Sequence, residues 1–518
     1  MTMKVDKIDQ KIRSRCIYQC LTSDWFKRIL SFFVVAGPLV TVLLLLLINL
    51  KKPWGFDESY NLQIVQNLRL GNGYATNGAV RGVGPYLFDP YISTGPAVLF
   101  PIYLVASIVR NTLLASRLVM LAYFLLMLVF LYRLTPRSNY GRYTYGLMVA
   151  GILPIVIATD PLWVQGEPPA ITFLLLATIA MKQRMPTLTG AALAAVVLCK
   201  LNFIFAALVF LSIALSRVAV DHRNNKKGFF QKSTRLLFGF SAPIFIFEIY
   251  RLVSLGGLAG YRTNIRELRS FLDSQRLTHW SSMAGLLGTK LTSIMNIPGP
   301  YLWTAVIVCL VGLSMAVLSN HNDFEFQISK GKTFFAPAYV SGLVIVGTFL
   351  FLSAVPFVRQ AASSFYVLLP LTILLALNRM KTFVLAPSRR IHTIGVLMIL
   401  VVSASLGMRT LTIFASSLQT IRASNFGIAL EDQRAASKVI RESGATSIDL
   451  DGWFQNPEYQ LLSGVPAASM PASDAKTIMV ISVLKNYFSN TNEFLRQKDT
   501  CREVLYTSEN VLVCWPKK

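Results

Sequence analysis

The feature that most constrains this chain is a series of long hydrophobic runs separated by short basic loops. Runs of roughly 15 to 22 residues recur along most of the sequence, and each is long enough to cross or nearly cross a bilayer. The mean hydropathy of the whole chain is +0.52. The sequence therefore predicts an all-α polytopic membrane protein.

Length and apolarity predict about eleven transmembrane helices. The predicted spans are residues 29–50, 114–134, 143–160, 167–181, 187–200, 202–217, 234–253, 301–319, 336–355, 363–378 and 391–408. They divide the chain into a basic N-terminal segment at 1–28, a membrane body at 29–408 and a small soluble α/β domain at 409–518. Within that last domain we predict a helix at 430–442, strands at 446–450 and 477–483, and a hairpin at 501–515.

The distribution of basic residues predicts how the chain is oriented. Fifty Lys and Arg against 25 Asp and Glu give a formal charge of +25. Every loop that this scheme places in the cytoplasm carries Lys or Arg, as the positive-inside rule requires, although the outer loop at 254–300 is also basic. The first run has no cleavage site for a signal peptidase, so we expect it to be retained. The N-terminus should be cytoplasmic and the C-terminus extracytoplasmic, in a plasma (inner) membrane.

The same distribution argues against a nucleic-acid partner. The basic residues are scattered among loops, and no RNA- or DNA-binding motif accompanies them. We therefore interpret the charge as a signal for topology and for contact with membrane lipids.

The largest predicted outside loop in the membrane body, at about 55–113, contains one apolar stretch, Ala97 to Val109. If this stretch crossed the membrane, every later assignment would invert and the basic cluster at 217–232 would lie outside. Its modest length and its two prolines, Pro96 and Pro101, favour a helix that lies on the membrane surface.

Two adjacent carboxylates, Asp57 and Glu58, stand at the start of this loop. An acidic pair held at a membrane surface is a candidate catalytic centre, whereas a pair of solvated loop residues is the structural alternative. Because adjacent side chains point in different directions, we expect one of the two to reach the site, and Asp57 is the stronger candidate.

Further motifs surround this acidic pair along the first half of the chain. They are Asp57-Glu58-x-Tyr60, Asn67-Leu68-x-x-Gly71-x-Gly73-Tyr74, Phe88-Asp89-Pro90, Thr94-Gly95-Pro96, Gly166-Glu167-x-Pro169-Ala170 and Leu198-Cys199-Lys200. Together they resemble the motifs of GT-C glycosyltransferases of the protein-mannosyltransferase and aminoarabinose-transferase type. The resemblance covers roughly residues 30–220. The C-terminal domain matches only loosely, through Asp451-Gly452-Trp453 and Asn456-Pro457-Glu458.

The resemblance implies an integral membrane glycosyltransferase with an outward-facing site. Such an enzyme moves a sugar, with inversion, from a polyprenyl-phosphate donor to a hydroxyl of a glycan, lipid or protein acceptor. Asp57, with Glu58 beside it, would be the catalytic base, since a single base and in-line displacement suffice for inversion. Tyr60 and Asp89 are candidate substrate-binding residues of the same loop.

Three charged residues in or beside apolar runs are candidates for the part of the site that binds the substrate and its lipid phosphate. Glu167 follows a broken helix and would be a metal ligand or would orient Lys200 or the acceptor, because a carboxylate near bilayer depth is costly unless it is paired. Lys200 and Arg359 would neutralise the phosphate of the departing lipid. The structural alternatives are a helix cap for Glu167 and interfacial anchors for the two cations. If a divalent metal takes part, Asp57 and Glu167 are its expected ligands.

The six cysteines indicate one structural feature. Cys501 and Cys514 fall in the predicted outside tail, so they form either a disulfide or two free thiols. The other four, at positions 16, 20, 199 and 309, show no metal-ligand spacing.

Two other function classes remain open at this stage. In a transporter or flippase of lipid-linked sugars, Asp57, Glu167 and Lys200 would couple ions or substrate, but the sequence lacks the two corresponding halves typical of transporters. A glycan polymerase or ligase would favour a large outside loop late in the chain, whereas here that loop comes first. The sequence has no P-loop and no dinucleotide fingerprint, which argues against a nucleotide-driven pump.

Overall fold

A computed structural model describes residues 24–77, 85–92, 94–274, 280–297, 299–319, 335–352, 359–384, 389–423, 426–450, 457–465, 477–482 and 497–517. These residues contain seventeen α-helices. Fifteen form a helical body and two pack with a small sheet near the C-terminus. The predicted fold class, an all-α membrane protein with a small α/β domain, is confirmed.

The body consists of fifteen described helices. They are α1 (Asp24–Lys51), α2 (Phe56–Leu70), α3 (Pro96–Val109), α4 (Thr112–Leu134), α5 (Asn139–Thr159), α6 (Glu167–Lys182), α7 (Pro186–Cys199), α8 (Ile204–Asp221), α9 (Lys226–Ser254), α10 (Leu258–Ser274), α11 (Trp280–Asn296), α12 (Gly299–Ser319), α13 (Ala336–Leu352), α14 (Arg359–Val384) and α15 (Arg389–Arg422). Each of the eleven predicted spans coincides with one of them.

Seven helices of the described chain are long and apolar enough to cross a membrane: segments of α1, α4, α5, α8, α9, α14 and α15. The chain is thus a multi-pass membrane protein. Helices α11 and α12 meet at 90° and would add an eighth span as a bent pair. The remaining predicted spans are shorter, notably α6 with 16 residues and α7 with 14.

Prolines mark the starts of the two short helices α6 and α7. Proline occupies the first helical positions of both helices, where its missing N–H costs no hydrogen bond. Preceding α6, Asp160 ends α5 with a left-handed φ of 43°. Both helices thus have sharp ends, and the residues at those ends are Glu167 and Lys200.

Helix α3 is a short apolar helix, and whether it lies on the membrane surface stays a prediction. Its 14 residues extend about 21 Å, which is shorter than the roughly 30 Å hydrocarbon core. One face buries Val98, Leu99 and Ile102, while Ile108 is 82% exposed. Helix α2 contacts the residues on both sides of α3, since Asn61 donates to Thr94 at 3.0 Å and Arg69 donates to Thr112 at 3.1 Å.

The C-terminal domain has the elements predicted from its sequence. Helices α16 (Ile428–Glu442) and α17 (Pro457–Ser463) pack with a sheet of strands β3 (Ser447–Leu450), β4 (Thr477–Ser482), β5 (Cys501–Thr507) and β6 (Val511–Pro516). The strand order is β3-β4-β6-β5, with β3 and β4 parallel and the other pairs antiparallel. A two-residue ladder of β1 (Ala75–Thr76) and β2 (Tyr86–Leu87) lies in the first outside loop. Residues 451–456, which carry most of the loose resemblance noted above, lie outside the described residues.

Cys501 and Cys514 form a disulfide between β5 and β6, with their Cα atoms 5.7 Å apart. Of the two alternatives that the sequence left open, the structure has the bridged one. Cys199 and Cys309 are buried free thiols.

The C-terminal domain is attached to the segment that carries the acidic pair. Gln433 of α16 donates through Nε2 to the carbonyl of Trp54 (2.9 Å) and accepts from the Trp54 N–H at Oε1 (2.8 Å). Nearby, Gln63 of α2 donates to Gln460 of α17 at 3.3 Å. Helix α2 is thus held between the membrane body and the C-terminal domain.

Candidate active site

Asp57 and Glu58 lie in the first turn of α2, which begins after Gly55. The positive end of the helix dipole stabilises carboxylates at this position. Successive residues of a helix point about 100° apart, and the two side chains have very different surroundings. The Asp57 side chain is 49% exposed, whereas Glu58 is completely buried.

Asp57 begins a chain of alternating charges. Its Oδ2 accepts from Nη2 of Arg359 at 2.8 Å, a contact between residues 302 positions apart. Nε of the same guanidinium lies 3.6 Å from Oε1 of Glu167, and Nζ of Lys200 lies 3.0 Å from that oxygen. Four residues predicted separately from the sequence, Asp57, Arg359, Glu167 and Lys200, therefore form one ion-pair network.

Glu167 is the centre of this network. Its side chain is fully buried, and neither carboxylate oxygen receives a well-directed hydrogen bond from the part of the chain that the structure describes. Burial of a carboxylate is costly unless opposite charge compensates it. Lys200 and Arg359 provide that compensation from two sides.

Close backbone contacts place Lys200 beside Glu167. The N–H of Gly95 donates to the carbonyl of Cys199 at 2.9 Å. A Cβ built on Gly95 would lie 2.1 Å from the Leu198 carbonyl oxygen, and one on Gly166 would lie 2.1 Å from that of Cys199. Only glycine permits these approaches. The glycines of the Thr-Gly-Pro and Gly-Glu-x-Pro motifs thus fix the end of α7.

Glu58 faces away from this network and supports the loop at 160–167. It pairs with Nη2 of Arg117 at 3.1 Å and accepts from the Val164 N–H at 3.2 Å. Burial raises the pKa of Glu58 to about 7, although the Arg117 guanidinium opposes this shift. Glu58 was predicted as a catalytic residue beside Asp57; its carboxylate is fully buried and paired with Arg117.

Arg117 is the main residue of the site that the sequence interpretation missed. It donates to the Leu162 carbonyl at 2.8 Å, and its guanidinium carbon lies 4.2 Å from the centre of the Trp54 ring. The sequence did carry a signal for Arg117, because this residue is a cation within the apolar run of α4, just as Lys200 is a cation within an apolar run. A second ion pair, between Lys52 and Asp160, lies at the start of the loop at 160–167.

Tyr60 and Asp89 bind each other. The Tyr60 hydroxyl donates to Oδ2 of Asp89, which also accepts from Oγ1 of Thr76 at 2.7 Å. The Tyr91 N–H donates to Oδ1 at 3.0 Å. Both side chains are buried, and burial together with the neighbouring Asp89 raises the pKa of Tyr60. These two predicted substrate-binding residues organise the loop in this structure.

Other motif residues also build the loop. Asn67 donates to the Ala75 carbonyl at 2.8 Å, and Gly71 and Gly73 adopt left-handed φ values of 82° and 80°. Such values favour glycine. The first-loop motif is therefore largely a scaffold that presents Asp57.

Three further buried polar atoms of the 160–167 loop have no hydrogen-bond partner among the described residues. They are the Nε1 of Trp163 and both amide atoms of Gln165. Because buried polar groups are nearly always paired in proteins, these atoms are candidates for contact with a polar ligand.

The described residues contain no cluster of three or more His, Cys, Asp or Glu suited to a metal ion. Asp57 and Glu167, the predicted ligands, are bridged by Arg359. A metal ion shared by these two carboxylates would have to displace the guanidinium. The residues present therefore do not fit a shared metal ion in this conformation.

Comparison with known proteins gives likeness in structure only. No protein-family model and no curated protein matches the sequence. ArnT from Cupriavidus metallidurans bound to undecaprenyl phosphate is similar with a TM-score of 0.50 at 10% identity, over 93% of this chain and 97% of ArnT.

Two further crystal structures are similar with TM-scores of 0.48. ArnT in the apo state is 10% identical over 93% of this chain and 97% of its own. The oligosaccharyltransferase of Archaeoglobus fulgidus is 11% identical over 89% of this chain and 70% of its own. The likeness to ArnT bound to undecaprenyl phosphate covers nearly the whole of both chains, and this chain therefore has the same fold as ArnT.

Proposed function

We propose that this protein is an integral membrane glycosyltransferase that transfers a sugar from a polyprenyl-phosphate donor to an acceptor hydroxyl, with inversion. The site faces the extracytoplasmic side of a plasma (inner) membrane, with the N-terminus inside and the C-terminus outside. The observation that carries this proposal is the ion-pair network of Asp57, Arg359, Glu167 and Lys200. It combines a half-exposed carboxylate with two cations on a fold shared with ArnT.

The cations suit the phosphate of the donor. ArnT has been crystallised with undecaprenyl phosphate, and we infer a donor of the same chemical class here. Arg359 is 26% exposed at its side chain and Lys200 only 2%. Arg359 would thus contact the phosphate directly, because guanidinium binds phosphate oxygens in bidentate fashion. Lys200 adds positive charge behind it through Glu167.

The carboxylate of Asp57 supplies the base. As the acceptor oxygen attacks the anomeric carbon, its proton passes to Asp57. The bond between the anomeric carbon and the phosphate oxygen breaks, and its electron pair leaves with polyprenyl phosphate. The positive charge of Arg359 stabilises the negative charge that develops on that leaving group. One displacement of this kind inverts the anomeric centre.

The buried polar atoms of Trp163 and Gln165 support a polyhydroxylated ligand. A sugar carries several hydroxyl groups, each able to donate and accept. We assign contact with the transferred sugar to these two side chains. Glu58, Tyr60 and Asp89 hold the loops that surround them, and we assign them a positioning role.

The test is sugar transfer by the purified full chain in lipid nanodiscs with a panel of polyprenyl-phosphate sugars. We expect one donor to be turned over by the wild type. Asp57→Asn should lower turnover by about 100-fold or more, as loss of a general base does. Asp273→Asn is the matched control, since that side chain is also 49% exposed and pairs with Arg269 of its own helix α10 rather than with the network.

The outcomes separate the proposal from its rivals. Turnover that survives Asp57→Asn removes Asp57 from the mechanism. If no donor is turned over but a lipid-linked sugar crosses proteoliposomes, the protein is a flippase and the network is a coupling site. If lipid-linked chains are joined to each other, it is a polymerase or ligase.

A further inference from the structure

A second charged site lies at the other end of α6 and α7 from Glu167 and Lys200. Here a cavity of about 340 Å³ opens between the ends of four helices. Because α6 rises 1.5 Å per residue, Lys182 at its end lies about 22 Å from Glu167. We name this cavity the basic pocket; its lining residues are Met181, Lys182, Arg184, Met185, Pro186, Thr189, Ala214, Arg217, Val218, Asp221, His222, Lys232 and Leu236.

The charge of the basic pocket is strongly positive. Four cations, those of Lys182, Arg184, Arg217 and Lys232, line it together with a single carboxylate, that of Asp221. The ring of His222 points back to its own helix, with Nδ1 3.1 Å from the Val218 carbonyl oxygen. Cations gathered in a concave site with low-dielectric walls concentrate the field and attract anions.

The N-terminus of α7 adds a second attraction for an anion. Helix α7 begins with Pro186 after Met185, and no side chain caps it. Pro186 has no N–H and the Thr189 N–H donates to the Met185 carbonyl at 3.0 Å, so the first turn offers the N–H groups of Thr187 and Leu188; helix N-termini bind phosphate and other anions. Arg184 is held beside it in a left-handed conformation with a φ of 59°.

A close helix crossing fixes the shape of the basic pocket. A Cβ on Gly190 of α7 would lie 2.1 Å from the Leu236 carbonyl oxygen, and one on Gly239 of α9 would lie 2.2 Å from that of Thr187. The backbones of α7 and α9 are therefore in contact beside the lining residues Thr189 and Leu236. Such contact between small residues is typical of rigid helix pairs in membranes.

The chemistry of the lining identifies the class of ligand. Its charged side chains suit a phosphate group, and its methionine, proline, valine and leucine side chains suit an apolar tail. On the predicted topology the pocket faces the cytoplasmic leaflet, where anionic lipids bind basic pockets between transmembrane helices. We propose that the basic pocket binds a phosphate group, supplied by the headgroup of an anionic membrane lipid or by free phosphate.

The experiment uses the full chain in detergent and measures retained lipid by native mass spectrometry. Wild-type protein should retain phosphatidylglycerol in preference to phosphatidylcholine. The Arg184→Gln/Lys232→Gln double variant should lose that retention by about tenfold or more, because each charge-assisted contact to phosphate is strong. The matched control, Lys226→Gln/Arg235→Gln, removes two exposed cations of α9 that do not line the pocket and should retain the lipid.

Inorganic phosphate alone distinguishes the two sources. A rise in melting temperature with phosphate, in wild type but not in the double variant, assigns the pocket to free phosphate when no lipid is retained. Equal retention by the double variant and the control, with no effect of phosphate, overturns the proposal.

A further measurement needs no variant. A photoactivatable phosphatidylglycerol should label the wild-type segments at 181–189 and 214–222, and labelling confined to other segments contradicts lipid binding in the pocket. Both readouts are independent of sugar transfer, so they stand or fall separately from the proposed enzyme activity.

Discussion

Asp57 and Glu58 are neighbours in sequence, yet their carboxylates have different partners. Asp57 is half exposed and paired with Arg359, while Glu58 is buried against Arg117. Successive residues of an α-helix point in different directions. The partner of Asp57 is Arg359 of α14, whereas the partner of Glu58 is Arg117 of α4. At the scale of single residues, the chain thus divides an acidic dipeptide into a candidate base and a structural support.

The raised pKa of Glu58 predicts a pH dependence of stability. Its folded value of about 7 lies above the ordinary 4.5, so the folded state binds this proton more tightly than the unfolded state. The stabilisation is complete below about pH 4.5 and is lost as the pH rises through about 7, a change of about 3 kcal/mol. Melting temperatures should therefore fall with pH more steeply in wild type than in Glu58→Gln.

The slope is the readout for this prediction, since Glu58→Gln also leaves Arg117 without its charged partner and lowers stability at every pH. Glu509→Gln, at an exposed position of the C-terminal domain, should keep the wild-type slope. Parallel profiles for wild type and Glu58→Gln would show that Glu58 does not titrate in this range.

The buried pair of Lys200 and Glu167 predicts an asymmetry between single and double variants. Lys200→Met should lower the free energy of unfolding by about 3 kcal/mol or more, because it leaves Glu167 with Arg359 alone. Adding Glu167→Gln removes the uncompensated charge and should recover most of that loss. Donor turnover should stay low in both variants, since the charge behind Arg359 is absent in each.

Thermal unfolding and transfer assays on the same preparations test this asymmetry. Lys438→Met and Lys438→Met/Glu442→Gln are the control pair, because those side chains are 72% and 62% exposed and should change stability by only about 0.5 kcal/mol. A double variant no more stable than Lys200→Met would show that the pair is not the source of the loss.

At the scale of elements, the site depends on where helices stop. Helices α6 and α7 are shorter than a membrane span, and their ends carry Glu167 and Lys200. Gly95 and Gly166 let the end of α7 approach two other segments within van der Waals distance. The ends of these two helices therefore place Glu167 and Lys200 in contact with each other and beside Arg359.

These contacts predict that added methyl groups are harmful at two glycines and harmless at others. Gly95→Ala and Gly166→Ala must move backbone atoms and should lower the free energy of unfolding by about 1–3 kcal/mol or more. Gly347→Ala on α13 has nothing within 4 Å of the new Cβ and should be neutral or stabilising. Thermal unfolding in nanodiscs compares them, and equal melting temperatures for all three variants would contradict the predicted contact.

Sequence alone predicted the elements well and the contacts between them poorly. All eleven spans are helices, because apolar length is a local property. Lys200 and Glu167 were recognised because each is a charge in or beside an apolar run. Their pairing with each other and with Arg359 depends on helix packing between distant positions, which local patterns do not encode. Arg117 was missed because it lies near the start of its run, where a cation is common.

At the scale of the whole molecule, the C-terminal domain is part of the site's support. Gln433 holds the backbone of Trp54 through two hydrogen bonds, and Gln460 contacts Gln63. Trp54 in turn lies against Arg117. Any influence of this domain on the acidic pair would act through these contacts with Trp54 and α2.

Loss of the Gln433 contact should therefore loosen two distant segments together. Gln433→Ala is expected to increase amide hydrogen exchange in both α16 and the start of α2, by about tenfold if the paired bonds contribute about 1.4 kcal/mol. Lys438→Ala, exposed on the same helix, should leave both segments protected. Faster exchange in α16 alone would indicate that the domain does not support α2.

The bridge from Arg359 to Asp57 has a consequence for the sequence of events in a turnover. In the structure Arg359 is already paired with Asp57, so the charge of the candidate base is compensated by a neighbouring cation. Under the proposed function, the phosphate of an incoming donor would compete with Asp57 for Arg359 and so release the Asp57 carboxylate. On that proposal the donor would prepare the base, and an acceptor would be activated only after the donor has arrived.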